Sequence, residues 1–157
     1  MMKNEVEYSI RDAQAADIKT IVQNIREADR QEIWASTNLL PFHALKGSFL
    51  TSRDVKIGQA DDTVLCMFGC KAPTMLGNTA VPWMIGTNSL SFHGRKFLRE
   101  SIKVVEDWRS KYEYMENYVD ARNEDAIRWL QWVGFSVYYP KPYGPDGLPF
   151  HRFSMER

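Results

Sequence analysis

The cysteines and histidines could carry metal or thiol chemistry, but their spacing excludes the common sites of that kind. Cys66 and Cys70 lie four residues apart in an apolar run, which on a strand separates them by about 13 Å, beyond the reach of a disulfide. We therefore expect free, buried thiols, as in a reducing cytoplasm. His43, His93 and His151 have no zinc-ligand spacing with these cysteines, so no metal site is predicted.

Composition narrows the class of protein further. The 157 residues include 20 Lys and Arg, 20 Asp and Glu, and 20 aromatic residues. So many aromatic residues exclude a disordered chain, and the balanced, scattered charges predict no nucleic-acid partner. No apolar run is long enough for a membrane span, and the first residues lack the apolar segment of a signal peptide. Nucleophile-elbow and Walker motifs are absent from the sequence. The length of the chain and the lack of a repeat or linker predict one domain over residues 1–157.

Hydrophobic periodicity predicts alternating strands and helices. Strands are expected at 8–11, 55–57, 63–70, 81–85, 114–119, 135–139 and 150–155, and helices at 15–34 with a break near Arg30, at 42–52, at 95–112 and at 124–133. Turns or loops are expected at 71–79, 86–94 and 140–149. This order predicts an α+β fold in which helices cover both faces of one sheet.

Pro82 interrupts the strand predicted at 81–85. Because proline cannot donate to a sheet ladder, the strand is expected to lie at an edge, to carry a bulge, or to splay away from a neighbour.

The segment from Asn123 to Phe135, NEDAIRWLQWVGF, is the most specific feature of the sequence. An N-capping Asn, an amphipathic helix and a terminating Gly134 lead into a strand. The segment resembles the last helix and following strand of the GNAT (GCN5-related N-acetyltransferase) superfamily. The order of elements from Tyr8 to about Met155 is also similar, which implies a GNAT-like, mostly antiparallel sheet with a splayed central strand pair.

The resemblance implies an acetyl-CoA cleft between the strands at 81–85, with Trp83 and Ile85, and at 114–119. The family's phosphate loop corresponds to residues 91–96, SFHGRK, where Gly94 matches and Lys96 replaces a small residue. Gly94, Arg95 and Lys96 are therefore candidate cofactor contacts, or Arg95 and Lys96 are solvated residues at a helix start. Asn123 is a further candidate contact, or a plain N-cap.

The catalytic groups that the resemblance implies are incomplete. The family often places an acidic Tyr seven residues after the Asn, where this chain has Leu130. The strand at 81–85 holds no carboxylate, which leaves Glu27, Glu32 and His93 as candidate general bases. Each of these three is otherwise a solvated surface residue.

Within the superfamily, the chain is most similar to small phage-encoded members and to the internal virion protein of short-tailed phages. The residues that carry this likeness are the run 26–34, READRQEIW, Trp83, Phe97 to Arg99, Trp108 and the segment 117–135. It implies a viral protein with a degenerate acetyl-CoA site that acts by contacts with phage or host proteins. Its expected location is the cytoplasm of the infected cell or the virion. The alternative is an active acetyl-CoA-dependent N-acetyltransferase that modifies an amine of a protein or small molecule.

Overall fold

Strands and helices alternate along the chain in the predicted order. The computed structural model describes residues 5–73 and 77–157. The strands are β1 (Tyr8–Asp12), β2 (Ser52–Ala60), β3 (Thr63–Lys71), β4 (Thr79–Gly86), β5 (Tyr114–Asp120), β6 (Ser136–Val137), β7 (Lys141–Tyr143) and β8 (Leu148–Glu156). The helices are α1 (Asp17–Gln23), α2 (Glu27–Thr37), α3 (Pro41–Thr51), α4 (Leu90–Lys111) and α5 (Glu124–Val133).

These strands form one mixed sheet in the order β1-β2-β3-β4-β5-β8-β6, and β7 pairs with the other part of β8. Neighbouring strands are antiparallel except for β4 and β5, which run parallel in the middle of the sheet. The predicted α+β fold with a mostly antiparallel sheet is therefore confirmed.

Each face of the sheet carries its own apolar core, because side chains alternate between the two faces of a strand. On one face α4 and α5 pack Phe97, Trp108 and Leu130 against the sheet. On the other face α1, α2 and α3 contribute Ile21, Leu45 and neighbouring residues. The central strand β3 supplies both cores, as its continuous apolar run predicts. No helix in the described part of the chain is long and apolar enough to cross a membrane.

The predicted helix at 15–34 is two helices, and the break lies at residues 24–26 instead of near Arg30. Arg26 is extended (φ −62°, ψ 139°), and its N–H donates to Gly86 O at 3.0 Å. Ile25 forms an isolated bridge with Thr87. The chain therefore leaves the helical path to bond with the end of β4, a tertiary contact that local propensity cannot reveal.

The prediction for the start of the long helix is wrong by five residues: α4 begins at Leu90, and the preceding loop is only 87–89. Thr87 is buried, its N–H donates to Leu65 O at 2.8 Å, and its hydroxyl donates to Val64 O at 2.8 Å. Leu90 N–H then donates to Thr87 O, and the Leu90 side chain is buried. This anchoring starts the helix before the polar residues that suggested a loop.

The remaining differences lie near the chain's turns. The strand predicted at 135–139 shortens to β6, and the turn predicted at 140–149 contains β7 before it reverses at Gly144 and Gly147. The turn predicted at 71–79 includes residues 74–76, which lie outside the described residues.

Candidate ligand-binding cleft

The parallel strands β4 and β5 separate soon after they pair. Thr79 pairs with Tyr114 and Ala80 with Met115, and the ladder ends there. Pro82 O accepts a hydrogen bond from Asn117 Nδ2 of β5 at 2.8 Å, so the backbone edge of Pro82 faces β5. At this position proline offers no N–H to the neighbouring strand. The splayed pair is therefore confirmed, and Pro82 contributes to it.

At Pro82 the sequence allows an edge strand, a bulge or a splay, and the structure shows the splay. The register between β3 and β4 runs without a shift from Lys71–Val81 to Cys66–Gly86, so β4 carries no bulge there. Strand β4 also has neighbours on both sides, so it is not an edge strand. Asn117 links the two strands where they separate. Its Nδ2 donates to Pro82 O of β4, and its Oδ1 accepts the N–H of Tyr118 at 2.8 Å.

The start of helix α2 contacts β4 at its last residue, Gly86, beyond the point where β4 and β5 separate. Gly86 N–H donates to Asp29 Oδ2 at 2.9 Å, and Gly86 O accepts from the N–H of Arg26. A side chain at Gly86 would crowd Arg26 Cδ and Leu90 Cδ2, each 2.9 Å from an ideal Cβ. Between this contact and Pro82, the backbone of Met84 faces the cleft, since residues two apart on a strand share an edge.

A cavity of about 120 Å³ occupies the space between the separated strands. It is not fully enclosed, and its walls come from α2, β4, β5, α4 and α5. Apolar side chains dominate the lining, including Phe68, Trp108 and Trp129, whereas Asp29, Glu32 and Asn123 are among its polar groups. Across the α4–α5 side, Trp129 Nε1 donates to Ser101 Oγ at 3.1 Å and links the two helices.

Carboxylates and an amide form a buried cluster at the α2 side of the cavity. Glu32 Oε1 accepts the N–H of Asp120 at 2.7 Å, and Asp29 Oδ1 accepts from Asn123 Nδ2 at 3.4 Å. Burial raises the pKa of Glu32 to about 8, and the charges of Asp29 and Asp120 add to that shift. Burial also raises the pKa of Asp29, although Arg26 and the N–H of Gly86 oppose the shift.

Two of the three carboxylates have a cationic partner, and Glu32 does not. Asp120 binds Arg122 Nη2 at 2.7 Å, and Asp29 lies 3.6 Å from Arg26 Nη1. No cationic side chain of the described residues lies within salt-bridge distance of Glu32. At neutral pH, a pKa of about 8 keeps Glu32 mostly protonated, so the cluster carries its proton instead of a buried charge.

The cavity brings together four of the residues singled out in the sequence: Glu32, Trp83, Ile85 and Asn123 all line it. Asn123 precedes α5 as predicted, but its side chain makes no capping hydrogen bond and its Nδ2 donates to Asp29 instead. The predicted N-cap position is therefore confirmed, but the side-chain capping bond is absent, and Oδ1 accepts no hydrogen bond from the described residues.

The other two candidate bases lie outside the cavity. Glu27 is exposed and pairs with Arg30 on the outer face of α2. His93 lies on α4, where its Nδ1 is hydrogen-bonded to the hydroxyl of Tyr8 at 2.9 Å, on the side of β1. Leu130, at the position where the family often has a Tyr acid, is buried in the core.

The candidate phosphate contacts Gly94, Arg95 and Lys96 lie inside α4, four or more residues beyond its first residue. Backbone N–H groups at such positions are engaged by the helix itself, whereas only those of the first turn are free for an anion. Arg95 and Lys96 are exposed, and an ideal Cβ on Gly94 meets no atom within 4 Å. The loop geometry that would make this glycine necessary is therefore missing.

Gly94→Ala should raise the free energy of unfolding by about 0.5–1 kcal/mol, because alanine is the better helix former and the added methyl meets open space. Urea unfolding of the two proteins measures the difference. A destabilised variant would contradict the helical placement of Gly94.

Several cavity residues have roles that the sequence did not reveal, namely Arg26, Asp29, Ser101, Asn117 and Trp129. Asp29 was visible only as a polar residue on an amphipathic helix, yet it is 3% exposed. The one available signal was the pair Trp129 and Trp132 in α5, since these two side chains cannot both point fully inward together with Leu130. Trp132 is 55% exposed and Trp129 lines the cavity.

Solved structures with the same arrangement of strands and helices are numerous. An acetyltransferase from Salmonella typhimurium, described as putative and solved with its cofactor acetyl-CoA, matches with a TM-score of 0.69 and 16% identity, over 95% of this chain and 93% of that one. A spermidine N-acetyltransferase from Vibrio cholerae, in complex with CoA and spermine, matches with a TM-score of 0.68 and 12% identity, over 95% of each chain.

A GCN5-related N-acetyltransferase from Kribbella flavida gives a TM-score of 0.66 at 19% identity, over 96% of this chain and 98% of that one. This chain has the GNAT fold. No protein-family model matches the sequence, and no curated protein matches it. The structural likeness therefore shows the fold of this chain, while its activity has to be argued from its own residues.

The residues of this GNAT-fold chain fit acetyl-CoA poorly. A pyrophosphate would need free N–H groups in the first turn of α4, where the N–H of Leu90 is bonded to Thr87 O and the N–H of Phe92 to Ser89 O. An arm entering the cleft from the α4–α5 side would meet Trp129, which is bonded to Ser101. Within residues 5–73 and 77–157, no group of three or more His, Cys, Asp or Glu side chains could hold a metal ion.

The cysteines agree with the prediction of buried thiols. Both are free and buried, and burial raises the pKa of each thiol to about 12, so neither is a ready nucleophile.

Proposed function

We propose that this chain is a phage-encoded GNAT-fold protein with a degenerate acetyl-CoA site, which acts through contacts with phage or host proteins and is associated with the virion. Outside the virion, it acts in the cytoplasm of the infected cell. The phage assignment rests on the sequence resemblance alone. The degenerate site is supported by one structural observation.

That observation is the position of α4. Because the helix begins at Leu90, Gly94 and Lys96 are integral parts of it, and Lys96 stands where the family has a small residue. The bond from Trp129 to Ser101 links α4 and α5 along the wall of the same cleft. An ancestral cofactor cleft with these changes retains the fold but loses the groups that hold a pyrophosphate.

An exposed apolar surface supports the role in protein contacts. It comprises side chains of α2, of α3 and of the loop that joins them: Trp34, Leu39, Leu40, Phe42 and Leu50, which are 43–70% exposed. All five lie within residues 34–50, and exposed apolar side chains in such numbers are typical of protein interaction sites.

Quantitative mass spectrometry of purified particles tests this proposal in the phage that encodes the chain. We expect a fixed number of copies per particle, and fewer copies for the double variant Leu40→Glu, Leu50→Glu, which charges the exposed surface. Phe92→Glu is the matched control, because Phe92 is an exposed aromatic residue on a different element. Particles that lack the chain, or that incorporate the double variant normally, would contradict the proposal.

A second candidate function is an active N-acetyltransferase, which is favoured by Glu32. This carboxylate lines the cavity with a pKa of about 8, close to that of a useful general base. Release of CoA from acetyl-CoA in the presence of amines measures the activity. If the enzyme is active, Glu32→Gln should lose most of the rate, while Glu27→Gln on the outer face of the same helix should keep it.

A further inference from the structure

A groove of about 870 Å³ adjoins the cavity between β4 and β5, and among the described residues the two share Tyr118 alone. Its walls come from α5, β7, β8 and the segment that joins β6 to β7. The volume is within the range of protein sites that bind small molecules. Aromatic rings form much of the lining: Tyr118, Tyr138, Tyr139, Tyr143 and Phe150.

The aromatic side chains offer flat surfaces to a ligand. Tyr143 stacks on Tyr118, with ring centroids 4.1 Å apart and ring planes 14° apart. Tyr139 is 89% exposed, so its ring is open to a partner. Because Pro140 and Pro142 have no N–H groups, this segment is a poor template for an added strand. A ligand in the groove therefore has to be held by side chains.

The ionic side chains of the groove favour a negative ligand. Lys141, His151 and Arg152 line it, whereas no Asp or Glu is among the described residues of its wall. Glu116 of β5 lies 3.3 Å from Arg152 Nη1 and balances that charge. Lys141 makes no salt bridge with any described residue. One negative charge on the ligand would therefore balance the groove.

Hydrogen bonds hold the polar groups of the groove in place before a ligand binds. Arg152 Cζ lies 4.0 Å from the ring centroid of Tyr138, whose hydroxyl is bonded to Ser154 Oγ at 2.9 Å. Arg152 Nη1 donates to the hydroxyl of Tyr114 at 3.0 Å, while Nε and Nη2 form no hydrogen bond with the described residues. The edge formed by Nε and Nη2 can bind a carboxylate through two parallel bonds. His151 Nδ1 donates to Tyr138 O at 2.7 Å, because a carbonyl oxygen only accepts.

We propose that this groove binds a small aromatic carboxylate, a flat ring system that carries one negative charge. Arg152 and Lys141 bind the carboxylate, and the ring lies against Tyr139 and the stacked pair of Tyr118 and Tyr143. The site goes beyond the proposed function and is independent of it. Neither the segment 94–96 of α4 nor the exposed side chains of residues 34–50 contribute a described residue to the groove.

Titration of the full chain with sodium 2-naphthoate tests the proposal, with calorimetry and the histidine ring signals in NMR spectra as readouts. We expect saturable binding of one molecule per chain and a shift of the His151 signals, while those of His43 and His93, which lie outside the lining, stay unchanged. Neutral 2-naphthamide lacks the charge and cyclohexanecarboxylate lacks the aromatic ring, so each should bind at least about tenfold more weakly. Equal affinity for either compound would overturn the proposal. So would the absence of saturable binding, which is the result expected if a protein surface fills the groove.

Lys141→Glu should weaken binding of 2-naphthoate about tenfold or more, because it replaces an attractive charge with a repulsive one. Lys19→Glu is the matched control, since Lys19 is an exposed lysine of α1 outside the lining, and it should bind normally. Tyr139→Ser removes an exposed ring and should weaken binding about threefold or more. Retained affinity in Lys141→Glu or Tyr139→Ser, or an equal loss in Lys19→Glu, would overturn the assignment. Circular dichroism checks that each variant is folded.

Discussion

The effect of Glu32→Gln on the free energy of unfolding is expected to depend on pH. Relative to the native protein, the variant should be about 2–3 kcal/mol more stable at pH 8 than it is at pH 5. The cause is the burial of Glu32 beside Asp29 and Asp120, which raises its pKa from 4.5 to about 8 in the folded chain. Glutamine has the shape of the protonated side chain and keeps an oxygen that can accept the N–H of Asp120. Glutamine can accept this hydrogen bond at every pH, because its side chain does not ionise.

The direction follows from proton binding. Between pH 4.5 and 8 the folded chain holds a proton on Glu32 that the unfolded chain has released, so the stability of the native protein falls as the pH rises through this range. Glutamine removes that dependence.

Urea unfolding of both proteins at pH 5, 6, 7 and 8 measures the effect, and Glu27→Gln serves as the control for a carboxylate lost from the same helix. An equal change in stability at all four pH values would show that Glu32 is ionised in the folded chain.

Gly58→Val is expected to lower the free energy of unfolding by about 3 kcal/mol. Gly58 lies on β2 where Phe97 of α4 packs against the sheet, and Phe97 is fully buried. An ideal Cβ on Gly58 would overlap the end of the Phe97 ring, with Cε2 at 2.6 Å, and would lie 3.0 Å from Cys66 Sγ. Close packing on all sides leaves the ring no free volume into which it can move.

The double variant Gly58→Val, Phe97→Leu isolates this contact. Phe97→Leu alone should be destabilising, since it shortens a fully buried side chain. It also makes room for the valine, so the double variant should lose less stability than the sum of the losses in the two single variants. Chemical unfolding of the four proteins gives the coupling. Additive effects would mean that the strand and the ring do not meet, in conflict with the packing of α4 described above.

The strands and long helices of this chain were predictable because their signals are local. The run from Thr63 to Cys70 is apolar throughout and forms the central strand, and Gly134 ends α5 in a left-handed conformation (φ 116°). Pro82 predicted an irregularity in β4, but the choice between an edge, a bulge and a splay required the neighbouring strand. The unshifted register with β3, the neighbours on both sides of β4 and the early end of the ladder with β5 make that choice.

The cleft was less predictable because tertiary contacts determine its polar residues. Glu32, Trp83, Ile85 and Asn123 were identified from a family resemblance, and all four line the cavity. Asp29 was not, since its burial depends on the N–H groups at the end of β4, 57 residues away in sequence. The start of α4 was placed too late for the same reason, because Thr87 is anchored on β3 by three hydrogen bonds.

Calorimetric titration with acetyl-CoA tests the central claim, which is that a cleft with the GNAT strand splay has lost the groups that hold its cofactor. We expect no binding of acetyl-CoA to the wild-type chain at millimolar concentration, because Gly94 lies inside α4 instead of in a loop, and Trp129 lines the cleft with its indole bonded to Ser101. Micromolar binding, with acetylation of any amine, would contradict the claim and establish the chain as an acetyltransferase.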